Sequence, residues 1–155
     1  MFTRLPSLRK AALKLFAAMS LVWLAACDPS MMSGGGSSPT VDPGATVQVA
    51  LLVPGGSGLA TDGFLALNLE NAARMAIADL NGVAIILRVY NTAGNPDQAA
   101  AMAAQAINDG AKIIIGPLYA EAANAAGLAA AQAGVSVLAF SNNTTIAGGN
   151  VFVLG

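Results

Sequence analysis

The 155-residue sequence has no histidine, a single cysteine and few charges, with Asp, Glu, Lys and Arg together at 10%. Lacking histidine, it can build neither a His-based metal site nor a Ser–His nucleophile pair. The lone Cys27 rules out a disulfide framework and a cysteine-pair redox site within the chain. Basic residues are scarcer than their total suggests. Four of the seven (Arg4, Arg9, Lys10 and Lys14) precede an apolar run near the N-terminus. From Cys27 onward three bases face eight acids, a net of −5. No basic patch is left to track a nucleic-acid backbone, so nucleic acid is excluded as a partner.

What is present starts with a leader. Leu15 to Ala25 is an uncharged apolar stretch behind the basic segment, and Leu24-Ala25-Ala26-Cys27 follows at once. A stretch this short falls below the roughly 20 residues that span a bilayer, and the layout is that of an export signal. The tetrad resembles the bacterial lipobox. That resemblance implies a signal peptide over residues 1–26 and Cys27 as the first mature residue. The Cys27 sulfur would carry a diacylglycerol and its amine a further acyl chain, making the lipid bilayer a partner through Cys27. Ordinary cleaved secretion and an uncleaved anchor are the alternatives. Asp28 resembles the aspartate that retains enterobacterial lipoproteins in the inner membrane, and the choice between inner and outer membrane stays open. Residues 27–45 are rich in Gly, Ser and Pro with no periodicity, and read as a flexible tether.

Residues 46–155 alternate two patterns. Val47–Pro54 (VQVALLVP) holds six apolar residues and no charge, as a strand covered on both faces does. Val83–Tyr90, Lys112–Ile115, Val135–Phe140 and Val151–Leu154 follow as further strands, with alanine-rich helical segments between the first four. This βαβ alternation predicts an α/β fold: three α-β-α layers around a parallel sheet of order 2-1-3-4-5, with right-handed crossovers. In the first helix, Leu65, Leu69, Ala72, Ala73, Ala76 and Leu80 form the expected buried stripe, with Thr61 or Asp62 as candidate caps. The second is the best marked: Asn95 caps, Pro96 sits at the first helical position, and Gln98 is placed to complete a capping box. Its stripe is Ala99, Met102, Ala103, Ala106 and Ile107. The abundance of alanine implies close approach of helix to sheet. A fifth strand with no helix after it suggests an incomplete lobe.

Ligands in an open parallel sheet sit beyond the carboxyl ends of the strands. Here those ends are Gly55–Gly58, Asn91–Gly94, Gly116–Tyr119 and Ser141–Thr144, rich in hydroxyls, amides and glycine but offering no acid–base pair. A dinucleotide fingerprint fails because Thr61 stands where its third glycine belongs, and Tyr90 and Asn91 where its acid belongs. No Lys-Ser or Lys-Thr pair makes a phosphate loop. Catalysis is therefore not expected, and neither a cofactor nor a metal is called for. Arg88, the one charge inside the second strand, suits a sheet edge. Tyr119 is either a stacking residue or a packed aromatic.

The VALLVP strand, Glu70–Ala76, Asn91-Thr92-Ala93-Gly94, Ile115-Gly116-Pro117-Leu118 and Leu138–Asn142 together resemble the first lobe of type I periplasmic binding proteins of the leucine-binding kind. With the lipobox, the chain looks most like the lipoprotein activators of penicillin-binding proteins. The resemblance covers residues 46–155, a partial lobe, and implies a non-enzymatic, lipid-anchored envelope protein that contacts a peptidoglycan synthase. The alternative is the binding component of an ABC importer for amino acids or amides, whose partner is an ABC permease. By the family pattern a small-molecule ligand would meet Ser57, Leu118, Tyr119, Asn142 and Thr144. The pattern departs at Asn142, and the acid expected to hold an α-amine belongs to a second lobe. The resemblance thus leads to an activator of peptidoglycan synthesis, or a fragment of one, with the importer component behind it.

Overall fold

A computed structural model describes residues 44–155. The expected signal peptide, Cys27 and all but the end of the tether lie outside the described residues. Five strands and three helices alternate: β1 (Val47–Val53), α1 (Ala60–Ala78), β2 (Ile85–Asn91), α2 (Pro96–Asn108), β3 (Ile113–Ile115), α3 (Ala120–Ala131), β4 (Ser136–Ala139) and β5 (Val151–Val153). A 3-10 turn, Thr144–Ile146, sits between the last two strands. All strands pair in parallel in the order β2-β1-β3-β4-β5, as the alternation of patterns predicts.

Period-two alternation in β1 divides the core. Leu51 and Val53 point to the α1 side with Ala66, while Ala50 and Leu52 point to the α2–α3 side with Ile114, Val137 and Ala139. Leu51 and Leu52 are both fully buried, so β1 is covered on both faces. On the α2–α3 side, Ala99, Ala103, Ala106, Ala122, Ala123, Ala126 and Ala130 are buried, which lets two helix backbones lie close to the strands and to each other. Closeness also requires glycine. A Cβ on Gly127 of α3 would collide with Val151 of β5, and one on Gly116 with the Leu52 carbonyl of β1. Gly116 further holds φ at +86°, a left-handed conformation that costs an L-residue roughly 1–2 kcal/mol.

The α1 side is packed differently from the expected stripe. Leu69 and Ala73 do pack on the Leu51–Val53 cluster, but the buried residues of α1 are Asp62 and Ala66. Leu65, Ala72, Ala76 and Leu80 are exposed. The physical reason is that Asp62 is drawn into the strand-end loops by Tyr119, turning the Asp62–Ala66–Ala73 side of the helix inward. The helix begins at Ala60 after Leu59, with no side-chain cap, so neither Thr61 nor Asp62 caps it. Beside α1 an apolar groove of about 220 Å³ runs along the sheet, lined by Val49, Ala73, Ala76, Ile77, Leu80, Ile85, Leu87 and Ile115.

The start of α2 matches the sequence closely. The Asn95 side chain accepts from the amides of Asp97 (2.9 Å) and Gln98 (3.1 Å), with Pro96 at the first helical position. Gln98 does not close a capping box. Its side-chain amide donates to the Asn91 carbonyl instead (2.9 Å), because the Asn95 amide is already committed to the Thr92 carbonyl. β2 is an edge strand, as Arg88 suggested, and Arg88 pairs there with Asp109 at 3.5 Å.

Candidate functional site: the carboxyl ends of the strands

The loops leaving β1 to β4 gather at one end of the sheet and are stitched to one another. The Thr92 amide and hydroxyl both donate to the Val53 carbonyl (2.8 and 3.0 Å), and the Ala93 amide donates to the Gly55 carbonyl (3.0 Å). These bonds join the exits of β1 and β2. The Phe140 amide donates to the Pro117 carbonyl (3.0 Å), joining the exits of β3 and β4. Thr92 and Ser141 are buried with their hydroxyls engaged, Ser141 accepting from the Asn143 amide (3.1 Å). The rim is therefore ordered largely by its own backbone.

The exits of β1 and β3 are joined by a side-chain bond. The Tyr119 hydroxyl donates to Asp62 Oδ1 at 2.5 Å across 57 residues of sequence. Asp62 lies in the first turn of α1 and is only 4% exposed. The Ser57 hydroxyl also helps lower the Asp62 pKa, and its oxygen accepts from the Leu59 amide (3.1 Å). The Tyr119 ring lies against Gly94, where a Cβ would stand 3.1 Å from ring carbon Cε2. Residue 94 also has φ of +67°, so glycine is favoured there twice over. Held at its hydroxyl and beneath its ring, Tyr119 keeps 39% of its surface exposed. The geometry is that of a fixed aromatic at the mouth of the rim.

Of the residues implied by resemblance, the fold brings Ser57 and Tyr119 together through Asp62, with Leu118 half-buried beside Tyr119. Asn142 and Thr144 are exposed at the β4 exit, where Thr144 opens the 3-10 turn. They share no hydrogen bond with the Ser57–Asp62–Tyr119 group. Asp62, expected only as a candidate cap, is the carboxylate that joins Ser57 and Tyr119. None of the four strand-end loops carries an acid, and Asp62 enters from the helix. An acid in the first turn after the β1 loop was the available signal.

Hydrogen bonds from Tyr119 and then Ser57 hold the Asp62 carboxyl below its ordinary range, against the opposing effect of burial. Bonding to the Asp62 carboxylate raises the Tyr119 phenol. Burial, then the bond to Asp109 (2.7 Å), raises Tyr90. The signs follow directly. A depressed Asp62 stabilises the fold above the ordinary carboxylate range near 3.9, and that stability is lost as pH falls through its lowered folded value. A raised Tyr119 stabilises the fold below about 10 and loses that contribution as pH rises through its raised folded value. The chain contains two tyrosines. An ultraviolet titration should show both ionising above the free phenol, and Asp62→Asn should bring one of them down while Tyr90 stays high. An unchanged curve would contradict the assignment of the bond.

With the geometry in view, comparison with known proteins is direct. The family model described as periplasmic binding protein matches residues 46–155. Among solved structures, a solute-binding protein of an ABC transporter from Rhodopseudomonas palustris BisB5, in complex with 3,4-dihydroxybenzoic acid, is 29% identical at a TM-score of 0.57. The match covers 65% of this chain and 29% of that one. The branched-chain amino acid transporter substrate-binding protein LivJ from Streptococcus pneumoniae, in complex with isoleucine, shares the fold at 20% identity and a TM-score of 0.55, over 70% of this chain and 33% of its own. An ABC-type branched-chain amino acid transporter protein from Rhodopseudomonas palustris CGA009 does so at 22% and 0.55, over 70% and 32%. The chain thus spans about a third of the length of these structures. No curated protein matches it. The match over residues 46–155, together with the observed strand order, shows that the chain belongs to the periplasmic binding protein family.

Proposed function

We propose that residues 46–155 supply one ligand-gripping face of the solute-binding component of an ABC importer. The observation that carries this reading is the 29% identity to a solute-binding protein solved with a small aromatic carboxylate. The two amino-acid transporter proteins add support at the level of fold. These findings favour the importer over the activator of peptidoglycan synthesis. The ligand would be a small organic acid or amino acid, met by the Ser57, Leu118–Tyr119 and Asn142–Thr144 loops through hydroxyls, backbone amides and the Tyr119 ring. The role is binding, not catalysis, and the working location is the periplasm. An ABC permease is the corresponding protein partner.

Residues 1–26 act in this proposal as a lipoprotein signal, Cys27 as the lipidated residue, and 27–45 as a tether that lets the lobe stand off the bilayer. Changing Cys27 to Ala should leave an unprocessed precursor. Mass spectrometry of the wild-type membrane fraction should return an N-terminal peptide starting at acylated Cys27. Normal processing of Cys27→Ala with release to the soluble periplasm would overturn the anchor.

Ligand binding is tested by following the amides of the isotope-labelled chain during titration with 3,4-dihydroxybenzoate and with isoleucine. Shifts should cluster at Gly55–Gly58, Pro117–Tyr119 and Ser141–Thr144, with affinity weaker than micromolar, because one face alone supplies part of the contacts that repay the entropy of binding. Amides unmoved by either compound, in a chain that co-purifies with a peptidoglycan synthase, would move the reading to the activator.

A further inference from the structure

The joint between α1 and β2 carries the chain's one Asn-Gly step, Asn81-Gly82. Both residues are exposed, and Gly82 holds φ at +81°, a conformation that favours glycine. A Cβ built there would meet nothing within 4 Å, so no neighbour covers the step. Among the described residues the Gly82 amide has no hydrogen-bond partner. The Asn81 side chain is held by one long bond, Nδ2 donating to the Asp79 carbonyl at 3.4 Å. Two related steps are built differently. In Asp62-Gly63 and Asp109-Gly110 the glycine amides donate to the Leu59 and Ile107 carbonyls, at 3.1 and 2.9 Å. Every other asparagine precedes a residue whose side chain shields its amide nitrogen, or Pro96, which has no N–H.

We propose that Asn81 is a self-modification site, converted by its own backbone to aspartate and isoaspartate. Asparagine is thermolabile, and its lifetime is set by how readily the next amide nitrogen reaches Cγ. The Gly82 amide gives its proton to solvent base, and the nitrogen attacks Asn81 Cγ. An N–Cγ bond forms, the Cγ–Nδ2 bond breaks, and Nδ2 leaves as ammonia with a proton from water. The resulting five-membered imide adds water at either carbonyl. Addition at Cγ gives aspartate, and addition at the main-chain carbonyl gives isoaspartate, with the chain running through Cγ. One water is consumed and one ammonia released, with no change of oxidation state. The fold leaves the attacking nitrogen free at Gly82 and ties it down at Gly63 and Gly110. The product sits at a sensitive joint. Its new carboxylate lies close in sequence to Asp79, the C-cap of α1, whose last turn has no basic residue. Isoaspartate also lengthens the backbone ahead of Ala84, whose carbonyl accepts from the Val47 amide (2.8 Å) where β2 meets β1.

The test is a time course on the full chain in mild detergent and mildly alkaline buffer made with heavy-oxygen water. Samples are digested at acidic pH, where no further imide forms, and read by peptide mass spectrometry. The peptide containing residue 81 should take up heavy oxygen, as both aspartate and isoaspartate, at least tenfold faster than any other asparagine peptide. Asn81→Gln, which would need a six-membered ring, should label at least tenfold more slowly than the wild type. A parallel course in guanidinium separates the fold from the dipeptide. Unfolding should change the Asn81 rate by less than tenfold, because the fold already leaves the step open. It should speed isoaspartate formation at Asp62 and Asp109 at least tenfold, because their glycine amides are released. Any of these ratios falling short would overturn the proposal, as would an Asn81 rate more than tenfold slower in the folded chain than in guanidinium.

Discussion

Everything in this fold depends on burying β1 from both sides. A strand in that position has hydrogen-bonded neighbours on each edge and helices on each face, so its side chains must be apolar and its neighbours must come close. Close approach is obtained with small residues. Alanines line α2 and α3 where they meet the sheet, and Gly116 lies against the Leu52 carbonyl where no Cβ fits. The consequence for function is positional. Because β2 and β3 flank β1 in parallel, the loops that leave all three emerge side by side; backbone bonds from Thr92 and Ala93 join the exits of β1 and β2, and the Tyr119–Asp62 bond ties in that of β3.

That rim explains how a chain so poor in charge can still present a structured polar surface. Its hydroxyls and amides are mostly tied to the backbone, which fixes their directions without any ion pair. The buried carboxylate at the rim, Asp62, is committed to Tyr119. Its charge is used inside the protein to hold an aromatic ring in place, with part of the ring left exposed. In the proposed binding role, a preset ring would lose little side-chain freedom, which would favour planar or apolar ligand groups over those needing a free counter-charge.

Much of this was legible in the sequence, for identifiable reasons. The apolar run at Val47–Val53 and the alternation with alanine-rich helices led directly to the strand order. The Asn95–Pro96 start of α2 was readable because its chemistry is local; of its stripe Ala99, Ala103 and Ala106 are buried, and Met102 and Ile107 are half-buried against the core. Gln98 was misjudged because its competitor, the Asn91 carbonyl, comes from a loop that turns back only in the folded chain. Helix α1 was misjudged for a related reason. Counting apolar residues favoured Leu65, Ala72, Ala76 and Leu80, but the helix is set by a polar contact with Tyr119, and periodicity weighs only apolar residues. The Asp62–Tyr119 bond was within reach of inference, since the 2-1-3 order makes their loops neighbours. It required reading topology before side chains.

The account stands on β1 being the rigid floor beneath a preformed rim, and amide hydrogen exchange measures that floor most directly. The amides of Val49 to Val53 should be among the slowest in the described lobe, with Thr92, Gly116 and Phe140 at the rim close behind, and with β2 at the sheet edge and the outer face of α1 exchanging faster. Exchange at Val49–Val53 as fast as on the outer face of α1 would contradict it, because the rim would then have no fixed support.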